Sequence, residues 1–297
     1  MTQETIQCAT RNAEMRMTGL YKYYGYGPTR QAIIADCSFT LEAGKTTVLI
    51  GPSGCGKSVL INLLAGYERP DAGEITLGGC PVTEPGGDRL VVFQETALFP
   101  WMNSFNNVAY GPAVQRGEVK ASIKSRVLEM LEKVGLTDFA GKYPSQLSGG
   151  MQRRGELARM LINDPLVMAL DEPFRGLDAM TRELMQEYFV ALLEERGGTV
   201  LFVTSEIDEA IFMADRLLIM SNKPGRIVRE MEIPLPRPRT RDMLKSDVYL
   251  DCKREALAVL HAEAVKAFAD GSRAMQDFLE AYRQEQQQED EAAAGGD

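Results

Sequence analysis

Histidine is almost absent from this chain, since His261 is the only one among 297 residues. Zinc centres and serine–histidine catalytic triads both need histidine beside other polar groups, so the inventory argues against either site. The five cysteines are scattered and form no C-x-x-C pair, which argues against a thiolate metal site. A scattered, odd-numbered set in a chain of this length predicts reduced thiols in the cytosol.

Long apolar runs and a basic excess are also missing. No segment approaches the roughly 18–20 apolar residues that span a bilayer, and the first ten residues, MTQETIQCAT, lack the apolar centre of a signal peptide. The net charge is -9. Because nucleic acids select basic surfaces, we expect no nucleic-acid partner, and a membrane role only through another protein.

Compact apolar runs alternate with helical patterns along the chain. Residues 15–43 alternate apolar and polar positions around a glycine-rich turn, which predicts short strands. Later buried strands are predicted at TTVLIG (46–51), RLVVFQ (89–94), PLVMALDEP (165–173), TVLFVTS (199–205) and RLLIM (216–220). A helical pattern fills 102–144. This order predicts a parallel α/β core with an inserted helical region.

The segment PLPRPRTR (234–241) ends that order, because closely spaced prolines do not fit a helix interior. We assign residues 234–244 to an extended, proline-rich connector. Residues 245–284 are helix-prone and form a predicted C-terminal extension. The acidic, apolar-poor tail at 285–297 is predicted to be disordered.

A phosphate-binding loop is predicted at GPSGCGKS (51–58), which matches G-x-x-x-x-G-K-[ST] between a predicted strand and a predicted helix. Glycines let the backbone N–H groups turn towards phosphates, and the helix adds its positive N-terminal end. Lys57 would reach the β- and γ-phosphates, and Ser58 would hold Mg²⁺. The nucleotide-binding loop comprises Gly51, Pro52, Ser53, Gly54, Cys55, Gly56, Lys57 and Ser58.

The apolar run LVMALDE (166–172) places Asp171 and Glu172 at the carboxyl end of a buried strand, where ligands bind in parallel sheets. Asp171 would hold Mg²⁺ through water, and Glu172 would polarise the attacking water as general base. Such a strand end alone is more often structural. Beside a phosphate-binding loop it predicts a nucleotide site.

Together with LSGGM (147–151), these motifs resemble the ATP-binding subunit of ABC transporters. The finer resemblance is to importers of nitrate, aliphatic sulfonates and taurine. It depends on the phosphate loop and on VVFQETALFPWMNSFNNVAYG, LDEPFRGLDAMTREL and PLPRPR, and it covers about 15–240. It implies an ATP- and Mg²⁺-dependent P-loop NTPase domain at 15–233. That domain would have a parallel-sheet core, an antiparallel β-subdomain and an inserted helical subdomain at about 102–150.

The resemblance also implies roles for single residues. Tyr24 would stack on adenine, although Tyr23 and Tyr26 are rivals and a packed turn tyrosine is the alternative. Gln94 would ligate Mg²⁺ and sense the membrane partner, or else satisfy buried backbone groups. Asp178 would couple two sites across a dimer, and it could also cap a helix.

The assembly follows from the signature Ser148, Gly149 and Gly150, which would bind the γ-phosphate of ATP held by the opposite subunit. The expected partners are a second copy or another ABC ATPase, an integral-membrane permease at 94–110, and indirectly a periplasmic or extracellular solute-binding protein. Phe99, Trp101 and Phe105 form either the permease contact or core packing. The subunit would lie peripherally at the cytoplasmic face of the inner or plasma membrane.

Ser205 departs from the family pattern V-T-H-D, because the chain reads VTSE. The family histidine bonds the γ-phosphate and helps to align water and Glu172. Serine is shorter and carries no positive charge, and losing one positioned donor typically lowers a rate by ~10²–10³. Three readings stay open: a working importer ATPase, a slow ATPase paired with a complete partner, or a regulatory ABC protein. Arg175 is a second departure, because the family has a small residue there.

Overall fold

The computed structural model describes residues 14–115 and 120–269, and within them ten strands and seven α-helices. The strands are β1 (Met15–Tyr24), β2 (Gln31–Leu41), β3 (Thr46–Ile50), β4 (Ala72–Leu77), β5 (Cys80–Pro81), β6 (Arg89–Val92), β7 (Val167–Asp171), β8 (Thr199–Val203), β9 (Arg216–Met220) and β10 (Ile227–Glu232). The helices are α1 (Lys57–Ala65), α2 (Ser104–Gln115), α3 (Lys120–Lys133), α4 (Gly149–Leu161), α5 (Ala179–Arg196), α6 (Ile207–Met213) and α7 (Asp247–Ala269).

The central sheet has six strands in the order β10-β9-β3-β8-β7-β6. Strands β9, β3, β8, β7 and β6 are mutually parallel, and β10 joins the edge antiparallel. Every residue of β3, β7, β8 and β9 is buried, as expected for strands covered on both faces. The carboxyl ends of the parallel strands therefore meet at one edge of the sheet.

A second, antiparallel sheet has the order β2-β1-β4-β5. Its buried side chains, including Met17 and Ile75, pack with Ile61 of α1 and with one face of the central sheet. The opposite face of the central sheet packs against α4, α5 and α6, where Phe174, Phe189 and Phe202 are in ring contact. The predicted α/β class with an antiparallel β-subdomain is confirmed.

Helices α2 and α3 pack with α4 around a small apolar core of their own. Its fully buried members include Val108 of α2 and three residues that recur at helical spacing in α3, namely Ile123, Val127 and Leu131. Because this cluster is separate from the two clusters on the faces of the central sheet, the helical region forms a distinct packing unit beside that sheet.

The proline-rich segment leads into a 3₁₀ turn at Arg241–Lys245 and then into α7. Tyr249, Cys252 and Ala256 of α7 are buried against the same core as α6. Tyr249 donates a hydrogen bond to Asp208 at the start of α6. The C-terminal extension is thus docked on the ATPase core as far as residue 269. The rest of the predicted extension and the predicted tail at 285–297 lie outside the described residues.

Among the cysteines, Cys37, Cys55 and Cys252 are buried free thiols. Cys80 is disulfide-bonded, so the expectation of reduced thiols throughout the chain is wrong. Cys80 lies half-buried on the short edge strand β5. No helix in 14–115 or 120–269 is long and apolar enough to cross a bilayer.

Candidate active site

Four neighbouring strands of the central sheet, β3, β8, β7 and β6, end at the candidate site. The glycine-rich loop follows β3, Ser205 lies beyond β8, Asp171 and Glu172 are at the end of β7, and Gln94 follows β6. These residues lie far apart in the chain, and the parallel order of the strands places them along one sheet edge.

The loop between β3 and α1 is closed by Lys57, the first residue of α1. Its buried ammonium group donates hydrogen bonds to the carbonyl oxygens of Gly51 at 2.8 Å and Pro52 at 3.0 Å. The lysine charge is thereby held inside the loop, at the N-terminus of the helix, where the backbone dipoles favour anions.

Gly56 begins α1 in the left-handed region, with φ +107°. A Cβ atom there would approach Cδ1 of Ile34 to 2.7 Å. The loop thus needs glycine for both conformation and space. Because Ile34 belongs to β2, the antiparallel sheet presses directly against the phosphate-binding loop and fixes its shape.

Ser58 and Asp171 meet where α1 begins and β7 ends. Burial raises the pKa of Asp171 above its ordinary value, and the nearby Ser58 hydroxyl and the Lys57 charge oppose that rise. A hydroxyl and a carboxylate form an all-oxygen donor set, which suits Mg²⁺. The side chains present therefore fit the metal.

Glu172 lies one residue beyond Asp171 in the left-handed region, with φ +42°. Its backbone N–H donates to Val203 of β8 at 2.8 Å. Its carboxylate is mostly buried and accepts a hydrogen bond from the Arg175 guanidinium, Nη1 to Oε2, at 2.9 Å. The sequence reading singled out Arg175 as a departure without assigning it a partner, and the turn brings it onto Glu172.

Ser205 is positioned by the residue before it. Thr204 is buried, its N–H donates to Leu49 of β3, and its hydroxyl accepts from the N–H of Glu206. Ser205 itself is exposed. Since Val203 is bonded to Glu172, Ser205 lies two residues from a direct backbone contact with Glu172.

Gln94 is exposed, so the alternative of a buried glutamine that satisfies backbone groups does not apply. The loop that carries it is held by α4. Arg153 donates to the carbonyl oxygens of Phe93 and Gln94, and Glu156 accepts from the N–H of Ala97. Arg153 and Glu156 are also paired with each other at 2.6 Å. Burial lowers the pKa of Arg153 and raises that of Glu156.

This buried pair was not found from the sequence. The signal for it in the sequence was the spacing of Arg153 and Glu156 in MQRRGE (151–156), which places them one turn apart on the helix after the signature. Helix α4 therefore carries Gly149 and Gly150 at its start and, further along, the two side chains that hold the Gln94 loop.

Among the signature residues, Ser148 and Gly149 are exposed and Gly150 is half-buried. Ser148 caps α4, with Oγ accepting from the N–H of Met151 at 3.3 Å, and Asp178 caps α5 by accepting from Thr181 at 3.0 Å. A Cβ atom at Gly150 would lie 3.1 Å from Thr181. The signature and the Asp178 loop are therefore neighbours on one surface.

Tyr24 ends β1 and bonds to the chain that follows α1. Its hydroxyl lies 2.8 Å from both oxygens of Glu68. Burial and this carboxylate raise the pKa of Tyr24 to about 12. Tyr23 and Tyr26, the alternatives for adenine stacking, differ in how exposed their rings are. The Arg30 guanidinium covers the ring of Tyr23, whereas Tyr26 is 92% exposed.

The sequence left two roles open for the aromatic residues near α2, which are contact with a permease and core packing. Trp101 is 69% exposed and stacks on Phe99, which also contacts Tyr110 edge-on. Phe105 instead packs against the apolar core of the helical region. Trp101 therefore belongs to a surface, and Phe105 belongs to core packing.

Comparisons with known proteins agree with this geometry. The family model described as ABC transporter matches residues 34–175. The chain is 43% identical over 231 residues to the nitrate import ATP-binding protein NrtD of Synechococcus elongatus, which covers 77% of this chain and 84% of the relative. It is 44% identical to a taurine import ATP-binding protein, TauB, of Pseudomonas aeruginosa, over 70% of this chain and 79% of that protein.

A third relative is the bicarbonate transport ATP-binding protein CmpD of Synechocystis, 40% identical over 84% of this chain and 89% of the relative. Among solved structures, the dimeric post-hydrolysis state of the ATP-binding cassette MJ0796 with ADP and Pi matches with a TM-score of 0.66. That match has 28% identity and covers 75% of this chain and all of the cassette. The chain belongs to the ABC transporter family and is an ABC ATPase, as its resemblance to transporter ATP-binding subunits implied.

Proposed function

We propose that this protein hydrolyses ATP to energise an ABC importer for a small anionic solute similar to nitrate, taurine or another sulfonate. The observation that supports it most is the meeting of the glycine-rich loop, Asp171, Glu172 and Gln94 at four adjacent strand ends. The solute class rests on the relatives, which are named for nitrate, taurine and bicarbonate transport.

In this proposal the loop 51–58 binds the phosphates through its backbone N–H groups and Lys57. The lysine exchanges its present carbonyl partners for phosphate oxygens, which lie within reach of the same loop. Ser58, Asp171 and Gln94 hold Mg²⁺, which neutralises phosphate charge. Glu172 orients the attacking water and accepts its proton.

A second subunit completes the site. Ser148 and Gly149 are exposed and Gly150 is half-buried at the start of α4, where small residues and backbone N–H groups allow close approach of a phosphate. We infer that they bind the nucleotide held by a partner, with Asp178 beside them relaying closure between the two sites. The match to dimeric cassettes supports this arrangement.

The Glu172→Gln variant tests the assembly. It keeps the shape of the side chain and removes the base, so ATP and Mg²⁺ should trap a dimer that size-exclusion chromatography with light scattering detects. Lys57→Ala serves as the matched control that loses nucleotide binding. A Glu172→Gln protein that binds ATP and stays monomeric would contradict the shared-site arrangement.

The permease contact is assigned to 94–110, with exposed Trp101 as its apolar centre. The loop at the start of this segment is held by Arg153, so a permease that presses on it acts on the signature helix. The subunit would lie at the cytoplasmic face of the membrane and act with a solute-binding protein on the other side.

Trp101→Ala should weaken co-purification with the permease and leave ATP binding intact. Loss of both would indicate misfolding.

A second candidate is favoured by Ser205. The chain would bind ATP and close the dimer but hydrolyse slowly, while lending its signature to a complete ATPase in a heterodimer. Ser205→His should then raise turnover by ~10–10³-fold. Brisk hydrolysis by the purified wild-type homodimer, unchanged by that substitution, would exclude this candidate and favour the homodimeric importer.

A further inference from the structure

Arg175 occupies a defined place on the proposed general base. Its backbone N–H donates to the carbonyl oxygen of Glu172 at 3.1 Å, and its guanidinium reaches the Glu172 carboxylate at 2.9 Å. The two contacts close a single turn directly beyond β7. A guanidinium keeps its positive charge at all relevant pH values, so the carboxylate has a permanent cationic partner.

The turn itself is anchored in the core. Phe174, between the two partners, is 1% exposed and contacts Phe202 with ring centroids 5.7 Å apart. Phe202 belongs to β8, three residues before Ser205. The same aromatic contact therefore fixes both the Arg175 turn and the strand that leads to Ser205. Arg175 reaches Glu172 from a rigid base, although its own side chain is 62% exposed.

Serine at position 205 is shorter than histidine and carries no charge, so we expect it to align Glu172 less well than the family histidine does. The guanidinium donates to Oε2 of Glu172, and a carboxylate that accepts a hydrogen bond at one oxygen keeps acceptor capacity at the other for a water molecule. Among the described residues, Arg175 is the one side chain that forms an ion pair with Glu172.

We propose that Arg175 is a positioning residue for ATP hydrolysis: it holds the Glu172 carboxylate in the orientation that a histidine at position 205 would otherwise maintain. Arg175 acts through Glu172 and does not accept the proton. This inference rests on the proposed role of Glu172 as general base. It explains how the chain can keep hydrolytic activity without the histidine of its family.

The test is a set of single-turnover ATPase measurements on the full chain with Arg175→Ala, Arg175→Lys, Ser205→His and the Arg175→Ala/Ser205→His double variant. Arg175→Ala should lower the hydrolysis rate at saturating ATP about 10–100-fold and change the half-saturating ATP concentration less than about twofold. Arg175→Lys should recover part of the rate, since it restores a positive charge without the fork. Ser205→His should raise the rate more in the Arg175→Ala background than in the wild type.

Arg254 provides a matched control, because it forms an exposed ion pair of the same spacing with Asp251 at 2.7 Å on α7. Arg254→Ala should leave the rate unchanged. A rate that stays equal or rises in Arg175→Ala overturns the inference, and a rise would show that the pair restrains the base. Equal effects of Ser205→His in both backgrounds would also overturn it.

Different results would contradict the positioning role of Arg175 and the hydrolytic role of Glu172. Hydrolysis that depends on Glu172 but not on Arg175 contradicts the inference alone. Wild-type protein that binds ATP and never hydrolyses it, even in single turnover, contradicts the hydrolytic role of Glu172 and the inference together. Nucleotide affinity and thermal unfolding of each variant separate both outcomes from misfolding, and Arg175→Gln provides a second variant without the charge.

Discussion

Replacement of Arg239 by alanine is expected to destabilise the protein far more than replacement of its neighbour Arg237. The Arg239 side chain is 1% exposed and donates to the carbonyl oxygens of Phe212 at 2.8 Å and Ile211 at 3.4 Å, at the carboxyl end of α6. It also pairs with Asp215 at 3.3 Å. Burial lowers the pKa of Arg239 to about 10, with Asp215 opposing the shift.

The magnitude follows from what each substitution leaves behind. Removing one partner of a buried pair typically costs about 3–5 kcal/mol. Here Asp215 would retain hydrogen bonds from Arg237 and from the N–H of Thr46, so its charge stays partly compensated. We expect Arg239→Ala to lower the unfolding free energy by about 2–4 kcal/mol, mostly from unsatisfied carbonyl groups and lost stem packing.

Arg237 bonds the same carboxylate at 2.7 Å, but its side chain is 35% exposed. Partly exposed pairs contribute roughly 0–1 kcal/mol. Urea titrations followed by circular dichroism, without nucleotide because bound ligand adds stability, compare the two variants in the full chain. In thermal unfolding, the corresponding decrease in the melting temperature of Arg239→Ala is about 5–15 °C. Equal losses for the two variants, or a larger one for Arg237→Ala, would refute the argument from burial.

Three further expectations follow from particular contacts. Gly56→Ala should abolish ATP binding measured by titration calorimetry, because its Cβ would clash with Ile34 at φ +107°; normal affinity would contradict the packing of the loop. Tyr24→Ala should weaken ATP affinity about 5–50-fold, and a loss seen only in Tyr26→Ala would transfer adenine stacking to that residue. Burial raises the pKa of Glu209 above 4.5, so the folded state holds that proton more tightly and wild-type stability falls as pH rises through the folded pKa. Glu209→Gln should therefore be more stable relative to wild type at about pH 7 than at about pH 4, and a constant difference in urea unfolding would count against this.

The contacts of the Gln94 loop indicate how a permease signal can travel. Arg153 and Glu156 join that loop to α4 through buried hydrogen bonds, and α4 begins at the exposed signature. Because the pair is rigidly buried, the loop and the helix should move as one body. In the proposed assembly, this connection would join the permease contact to the signature without an additional element.

The docked C-terminal extension also contacts α6, the helix that follows Ser205. Tyr249 and Lys253 of α7 both contact Asp208, two residues beyond Glu206. The helix that follows Ser205 is therefore held from outside by α7 and from inside by the buried Arg239. We therefore expect the extension to stabilise the segment that carries Ser205.

The amino-acid sequence alone determined the phosphate loop, the strand ending in Asp171 and Glu172, the α/β class and the family. Those features depend on local patterns, namely glycine spacing, continuous apolar runs and a lysine at a helix start, and such patterns are visible without a fold. The short strands β4 and β5 and the edge strand β10 were not named from the sequence. The partner of β4 is β1, far away in the chain, whereas β5 has only two residues and β10 has a single buried residue, so neither shows a continuous apolar run.

Only the tertiary structure decided which charged groups meet. Arg175 on Glu172, Arg153 with Glu156 on the Gln94 loop, and Arg239 at the end of α6 involve ordinary arginines in the sequence. An arginine's partner depends on which turn or helix end packs within a few ångströms of it, and that is settled by strand order and core packing. The sequence identified the departure at Ser205, and folding placed on Glu172 the arginine that we propose compensates for it.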